Sequence, residues 1–246
     1  VAIASGSSSG TFKYKDNTAG TFTITNSAAG LTSATTSFTV NPATVSKLVF
    51  TAGGAQTLNA GTASSAITMQ RQDSYNNPIN SGAISVSLSS GSSAGKFDTT
   101  TSGAGAFSPG ITAITIPDGS STTTFYYKDT ASGSQTLTAS YGSLTPATTS
   151  FTVNAGSATQ LAITAPAAAT AGTASGDFTV QRKDAYGNAA TSGTTTITLS
   201  SSSATGVFRN SADSSTITSV AIASGSSSGT FKYKDNTAGT FTITNS

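Results

Sequence analysis

Histidine, cysteine, glutamate and tryptophan do not occur anywhere in this chain of 246 residues. Their absence removes the usual general base, the usual thiol nucleophile and the usual zinc ligands in one step. Catalysis would have to run on Asp, Lys and Tyr. All nine acidic residues are Asp, and several are copies of one another: Asp16, Asp129 and Asp235 share one recurring position, Asp73 and Asp184 another. The count reflects duplication and supplies no paired acid and base. No enzyme is expected, and no catalytic, cofactor-binding or metal-ligating residue is singled out. Without Cys there is no disulfide either, which a unit of roughly 110 residues can do without because it buries enough core by itself.

Charge is also scarce. Charged residues make up 8% of the chain and the net charge is +2, with no basic run or face, so the electrostatic footprint of a nucleic-acid binder is missing. No apolar stretch approaches the roughly 18 residues of a membrane span, and neither a signal peptide nor an anchor motif is present. A segment taken from the middle of a longer array would lack both. More than a third of the residues are Ser or Thr, a surface chemistry that suits an extracellular, cell-surface setting. Disorder is not expected, because Ile, Val, Leu, Phe and Tyr recur at alternating positions whereas disordered chains are poor in β-branched and aromatic residues.

What the chain does have is repetition. Residues Val1 to Ser27 recur letter for letter at Val220 to Ser246, an offset of 219. A diverged period lies inside it: MQRQDSYNNPINSG from Met69 matches VQRKDAYGNAATSG from Val180, an offset of 111. FYYKDTASGSQTLTAS from Phe125 matches FKYKDNTAGTFTITNS at Phe12 and Phe231, and ATTSFTVN occurs at Ala34 and again at Ala147. The shorter period has the size of an immunoglobulin-like unit. The repeats divide the chain into residues 1–44, the C-terminal part of one repeat (type B); 45–156, a complete repeat (type A); and 157–246, a type B repeat lacking its last strand. A window cut from one continuous array is the simplest account of that frame.

Within 45–156 the apolar residues follow a period of two: Leu48 and Phe50; Ile67 and Met69; Ile84, Val86 and Leu88; Phe97; Ile114 and Ile116; Phe125 and Tyr127; Leu137; Phe151 and Val153. Short, closely spaced segments, each with one apolar face and separated by Gly, Ser, Asn and Pro, predict an all-β fold. Specifically, they predict tandem immunoglobulin-like antiparallel β-sandwiches of about seven or eight strands each, arranged as an elongated array. The Ala-rich run Ala165–Ala174 contains Pro166 and Gly172, has no apolar stripe, and aligns with AGGAQTLNAG from Ala52. Both read as loops. Arg71 and Arg182 fall on the inward parity, where the expectation is a packed stem with the guanidinium paired to a carboxylate.

The stretches DSYNNPINSG (Asp73 to Gly82) and DAYGNAATSG (Asp184 to Gly193) are each followed by a strand, a Gly-Lys-Phe or Gly-Val-Phe segment and the FxYKD stretch. This pattern resembles the bacterial immunoglobulin-like tandem repeats of large cell-surface proteins, including the invasin and intimin type. Its most specific element is the Asp-x-Tyr-x-Asn turn, in which Asp and Asn bond their own backbone and Gly or Asn takes the left-handed conformation. The resemblance covers essentially the whole chain. It implies rigid modules on an exported protein and carries over no catalytic residue. Invasin-type proteins engage receptors through specialised terminal domains, and nothing here resembles one.

Calcium, which stiffens the junctions of many surface arrays, needs several carboxylates among six to eight oxygens. Yet the junctions FTVNPATVSKL (Phe38–Leu48) and FTVNAGSATQL (Phe151–Leu161) contain no Asp. Hydrogen-bonded or dry junctions are expected, with the Asp73 and Asp184 turns as the residual calcium candidates and no cofactor. A Lys–Asn crosslink needs a buried Lys, whereas burial of Phe12 and Tyr14 turns Lys13 and Lys15 to solvent. The pairs Phe125 with Tyr127 and Phe231 with Tyr233 read as core, not as a sugar platform. No Asn-x-Ser/Thr acceptor occurs, while Ser/Thr loops such as Ser5 to Gly10 offer O-glycan acceptors or simply hydrophilic turns.

The function expected from the sequence is a non-catalytic segment of an extracellular surface stalk or filament that supplies length and rigidity. Its partners would be neighbouring copies of the same repeat. The alternatives are modules that themselves grip a glycan or cell-surface ligand, or a filament subunit assembling by strand donation through residues 28–41.

Overall fold

Alternating apolar and hydroxyl residues give each segment one face to bury and one to solvate, and from β3 onward the structure packs the apolar faces into two buried clusters. It is a computed structural model describing all residues 1–246, with strands and turns and no helix. No helix is therefore long and apolar enough to cross a membrane. Strands β1 (Gly20–Asn26) and β2 (Ala34–Val40) form an antiparallel hairpin. Next come β3 (Lys47–Ala52), β4 (Thr57–Asn59), β5 (Ile67–Gln72), β6 (Ile84–Ser90) and β7 (Lys96–Asp98). They are followed by β8 (Ala113–Ile116), β9 (Thr122–Lys128), β10 (Gly133–Ser140) and β11 (Ala147–Asn154). The remainder holds β12 (Gln160–Thr164), β13 (Phe178–Lys183), β14 (Thr195–Ser201), β15 (Val207–Arg209), β16 (Thr216–Ile217), β17 (Ser219–Ile222), β18 (Ser228–Lys234) and β19 (Ile243–Asn245).

Strands β3 to β11 build a sandwich of two sheets, ordered β3-β5-β9-β7 and β4-β11-β10-β6-β8. Every pairing is antiparallel except β4 with β11, which run parallel. The A-B-E-D and G-F-C sheets of an immunoglobulin-like sandwich have this arrangement, with one departure. Here β7, beside β9 in one sheet, precedes β8, at the far edge of the other. Sixteen buried apolar residues fill the space between the sheets, among them Ile67, Met69, Val86, Ile116, Phe125, Tyr127, Leu137 and Phe151. Every apolar position read from the period-two pattern lies in a strand, and one strand is added. The segment AGGAQTLNAG, expected to be loop throughout, contains β4, whose Leu58 is buried against the core. A strand this short, with a single apolar side chain, cannot show a period.

Strands β12 to β19 repeat the plan as β12-β13-β18-β15-β16 and β17-β14-β19. No counterpart of β4 or β11 is present, and the buried core comprises eight residues. The effect of the missing pair is visible at matched positions: Leu48 of β3 is 2% exposed, while Leu161 of β12 is 37% exposed. A groove of about 450 Å³ opens beside Phe178, Tyr233, Phe241 and Ile243.

Two expectations need correction. Phe12 and Tyr14 are not buried; they are 52% and 40% exposed, because only the two-stranded β1–β2 hairpin stands opposite them, with Tyr14 against its Phe22 and Phe38. The second concerns the inward arginines, which are 1% exposed but pair with no carboxylate. Arg71 donates from Nε to Ile79 O (2.7 Å), and its terminal nitrogens reach the carbonyls of Gly82, Pro117 (3.2 Å) and Ser120 (2.7 Å). Arg182 donates to Ser192 O (3.2 Å), Gly193 O (2.9 Å), Thr195 Oγ1 (3.0 Å) and Ala223 O (3.3 Å), and also to Ser226 O. Each guanidinium thus gathers carbonyls from two loops at one end of its sandwich. Its planar fork of donors fits that task better than a point charge would.

Candidate functional site

The Asp-x-Tyr-x-Asn turns follow β5 and β13 directly. In the first, Asp73 Oδ1 accepts from the backbone N–H of Tyr75 (2.8 Å) and Asn77 (2.9 Å), closing an Asx turn. Asp73 Oδ2 accepts from Asn77 Nδ2 (2.9 Å) and from the N–H of Ala43 (2.9 Å), in the linker that precedes β3. The second turn repeats each bond. Asp184 Oδ1 takes the N–H of Tyr186 and Asn188 (2.9 Å each), and Oδ2 takes Asn188 Nδ2 (2.8 Å) and the N–H of Gly156 in the next linker (2.8 Å).

Four N–H donors thus occupy each carboxylate. Burial opposes ionisation of Asp73, but the donors from Asn77, Ala43 and Tyr75 outweigh it and hold its pKa at about 2. Asp184 is lowered by the same balance, with Gly156 in place of Ala43. These bonds consume the oxygens that a calcium ion at either turn would require.

Once bonded to its Asp, each Asn side chain still has one N–H and its carbonyl oxygen free, and both are used across a junction. Asn77 Nδ2 donates to Asn17 O (2.8 Å) and Asn77 Oδ1 accepts from Ala19 N–H (2.9 Å), both in the loop before β1. Asn188 Nδ2 donates to Thr130 O (2.8 Å) and Asn188 Oδ1 accepts from Ser132 N–H (2.9 Å), both in the loop between β9 and β10. Those receiving loops are equivalent positions of the FxYKD repeat. Each is shaped by its own Asx turn: Asp16 Oδ1 accepts from Thr18 N–H (2.9 Å) and Asp129 Oδ1 from Ala131 N–H (2.8 Å). At the second junction Tyr186 also lies over Gly61, where φ is +81° and any Cβ would strike the Tyr hydroxyl.

The Asp16 and Asp129 side chains are anchored in turn by the tyrosine two positions earlier. Tyr14 and Tyr127 each donate to their Asp at 2.5 Å. Burial and the Asp129 bond push the Tyr127 hydroxyl well above its ordinary pKa, so it remains a donor at any physiological pH. The paired aromatics of β9 and β18 are core, with Tyr127 packed edge-on against Phe151 at 5.5 Å. They form no exposed platform.

No family model matches the chain, and no curated protein matches it. Among solved structures it is similar to domains 4–9 of the surface layer protein SbsC, at 18% identity over 92% of this chain and 33% of that one, with a TM-score of 0.33. It thus spans about a third of that S-layer chain. It is also similar to FdeC, an Escherichia coli adhesin, at 18% identity over 92% of this chain and 69% of that one, with a TM-score of 0.38. The Yersinia pseudotuberculosis adhesin InvE follows at 19% identity over 81% of this chain and 57% of that one, TM-score 0.33. The D0-D1 domain of intimin is also similar, at 16% identity over 82% of this chain and 90% of that one, with a TM-score of 0.28.

The Asp of each turn stands out in the sequence, whereas the role of the Asn does not. The available signal was joint recurrence of the turn and the FxYKD loop at nearly the same spacing. Asn77 lies 60 positions after Asn17, and Asn188 lies 58 after Thr130.

Proposed function

We propose that this chain is a non-catalytic structural segment of a bacterial extracellular stalk or filament, in which sandwiches joined in series supply length and rigidity. The division into 1–44, 45–156 and 157–246 as pieces of two repeat types belongs to this reading. One observation carries it: both junctions are closed by the same set of hydrogen bonds, from the linker N–H to the turn Asp and from the turn Asn to the preceding loop. A junction that recurs in the same form sets the same angle each time, and a fixed angle repeated makes a rod.

Small-angle X-ray scattering of the purified chain tests this. The expected profile is that of a rod, unchanged by a calcium chelator because N–H groups fill the turn carboxylates. A profile typical of a flexible string of beads would overturn it. A second reading, assembly by strand donation, is favoured by the groove beside Phe178 and Phe241 together with the half-exposed Phe38 on β2, in a segment identical to most of β11. It predicts concentration-dependent oligomers in light scattering.

A further inference from the structure

We propose that the Asp-x-Tyr-x-Asn turn is a docking site, and that the partner it fits is the Asx-turned FxYKD loop of another sandwich, gripped through one backbone carbonyl and the amide two positions later. This rests on the stalk reading and deepens it by assigning the residues that set the angle between neighbours.

Three observations combine. First, the grip is two-pronged: a primary amide offers its donor and acceptor side by side, and Asn17 O with Ala19 N–H, or Thr130 O with Ser132 N–H, presents the complementary pair. Asn is suited to this because it carries both functions on a short, stiff stem. Second, the Asn is held before it docks. Its own backbone N–H and its Nδ2 are bonded to the turn Asp, so little side-chain freedom is lost on docking.

Third, the receiving loop is formed without a guest. In the loop after β18, Asp235 Oδ1 accepts from Thr237 N–H at 2.9 Å, the same Asx turn as at Asp16 and Asp129. Tyr233 donates to Asp235 Oδ2 at 2.9 Å, as Tyr127 does to Asp129. Asn236 and Ala238 stand where Thr130 and Ser132 stand in the β9–β10 loop, and no turn is docked on them. The geometry therefore belongs to the loop itself, and the loop after β18 is a further receptor for a turn of this kind.

The test exploits the absence of Cys, which allows spin labels at two introduced sites, T115C on β8 and T196C on β14, both exposed. Pulsed dipolar spectroscopy then reads the spread of distances between the two sandwiches. With the chain otherwise unchanged, a narrow distribution is expected. Asn188→Ala should broaden it by about twofold or more, since sandwiches without a large shared interface move independently by default. Ser132→Pro removes the receiving N–H from the loop side and leaves the Asp184–Asn188 turn untouched, so it should broaden the distribution similarly. Asn188→Asp should broaden it more at pH 7, by setting two carboxylates against each other. Thermal unfolding of each variant reports whether the sandwiches remain folded. A broad distribution in the unsubstituted chain overturns the stalk reading. A narrow one that stays narrow in folded Asn188→Ala and Ser132→Pro overturns the docking site alone.

Discussion

The segment Val1–Ser27 and its identical copy Val220–Ser246 fold differently. The later copy supplies most of β17, all of β18 and all of β19; in the earlier one nothing before Gly20 is a strand and only β1 is built. Local geometry is not what differs. A Cβ placed at Gly10 would meet Val1 Cγ1 at 2.7 Å, and one at Gly229 would meet Val220 Cγ1 at 2.6 Å, so the chain folds back on itself alike in both copies. The Ala4–Ser7 turn (3.0 Å) likewise matches Ala223–Ser226 (3.2 Å). Partners make the difference: β17 has β14 and β18 has β13 and β15, whereas residues 1–19 pair with no strand and meet no sheet but the two-stranded β1–β2 hairpin, through Tyr14. Sequence sets the bend, and strand identity is completed by what lies alongside.

The sharpest way to break that comparison is to delete the same ring in both copies. Phe231 is fully buried, packed at 5.1 Å on Phe178 and edge-on to Phe208 at 5.7 Å, while its twin Phe12 is half exposed. Phe231→Ala should destabilise the second sandwich by about 3–5 kcal/mol, the usual cost of emptying a buried aromatic site. Phe12→Ala should change stability by no more than about 0.5 kcal/mol, as surface substitutions do. Denaturant unfolding followed through the amide signals of β18 for Phe231→Ala and of β1 for Phe12→Ala distinguishes them; equal losses would mean that the N-terminal copy is packed after all.

Next in size is the arginine cage. Arg182 holds the carbonyls of Ala223 and Ser226, whereas the matching Ala4 to Ser7 turn has no such cation against it. Arg182→Met keeps much of the stem but strands several buried carbonyls, at an expected cost of about 2–3 kcal/mol. Hydrogen exchange at Ser226 should accelerate strongly, and exchange at Ser7 should not change. Arg71→Met in the first sandwich should cost at least as much as Arg182→Met, since Arg71 also bonds Ile79 O through Nε, a donor that has no partner in Arg182.

A smaller effect compares two glycines in one conformation, with and without a neighbour. Gly61 and Gly172 share φ of +81°, and their N–H groups bond Asp129 O and Asp235 O at 2.7 Å each. Alanine at either should cost about 1–2 kcal/mol for the left-handed backbone. Only at Gly61 would it also displace Tyr186, so Gly61→Ala should loosen the junction and Gly172→Ala should not. Inter-sandwich distance distributions, measured beside melting curves, check both halves.

How far the sequence was legible follows from these cases. Period-two alternation marked every strand of the first sandwich except β4, because burial of one sheet face imposes it directly. It said nothing of β4, whose pairing partner β11 is the last strand of the same sandwich. Inward parity correctly buried Arg71 and Arg182, but a carboxylate was expected where backbone carbonyls converge from loops distant in sequence. Parity also misplaced Phe12 and Tyr14, since it reports which face a residue occupies and not whether another sheet covers it. The Asp of each turn was visible because its bonds are local. The Asn bonds that cross the junction were not, because they join positions far apart in the chain.

Acid offers the finest test, at the Asp shared by the two copies. Asp235 is held at about 2, chiefly by the Ser203 hydroxyl and the Thr237 N–H, with burial opposing them. Asp16 is lowered too, first by the Tyr14 hydroxyl and then by the Thr18 N–H. A carboxyl with a depressed folded pKa stabilises fully above its unfolded value of about 4 and loses that contribution as pH falls through the folded one. The loop at 235–239 should therefore keep its shape down to about pH 3 and lose it near pH 2, with Asp235→Asn abolishing the transition. Amide shifts of Ala238 and Ala19, followed from pH 6 downward, report the two copies side by side. Ala19 adds one reading that Ala238 lacks. Its N–H is bonded to Asn77 Oδ1, so protonation of Asp16 should also register at the Asn77 side chain, whereas protonation of Asp235 should remain confined to its own loop.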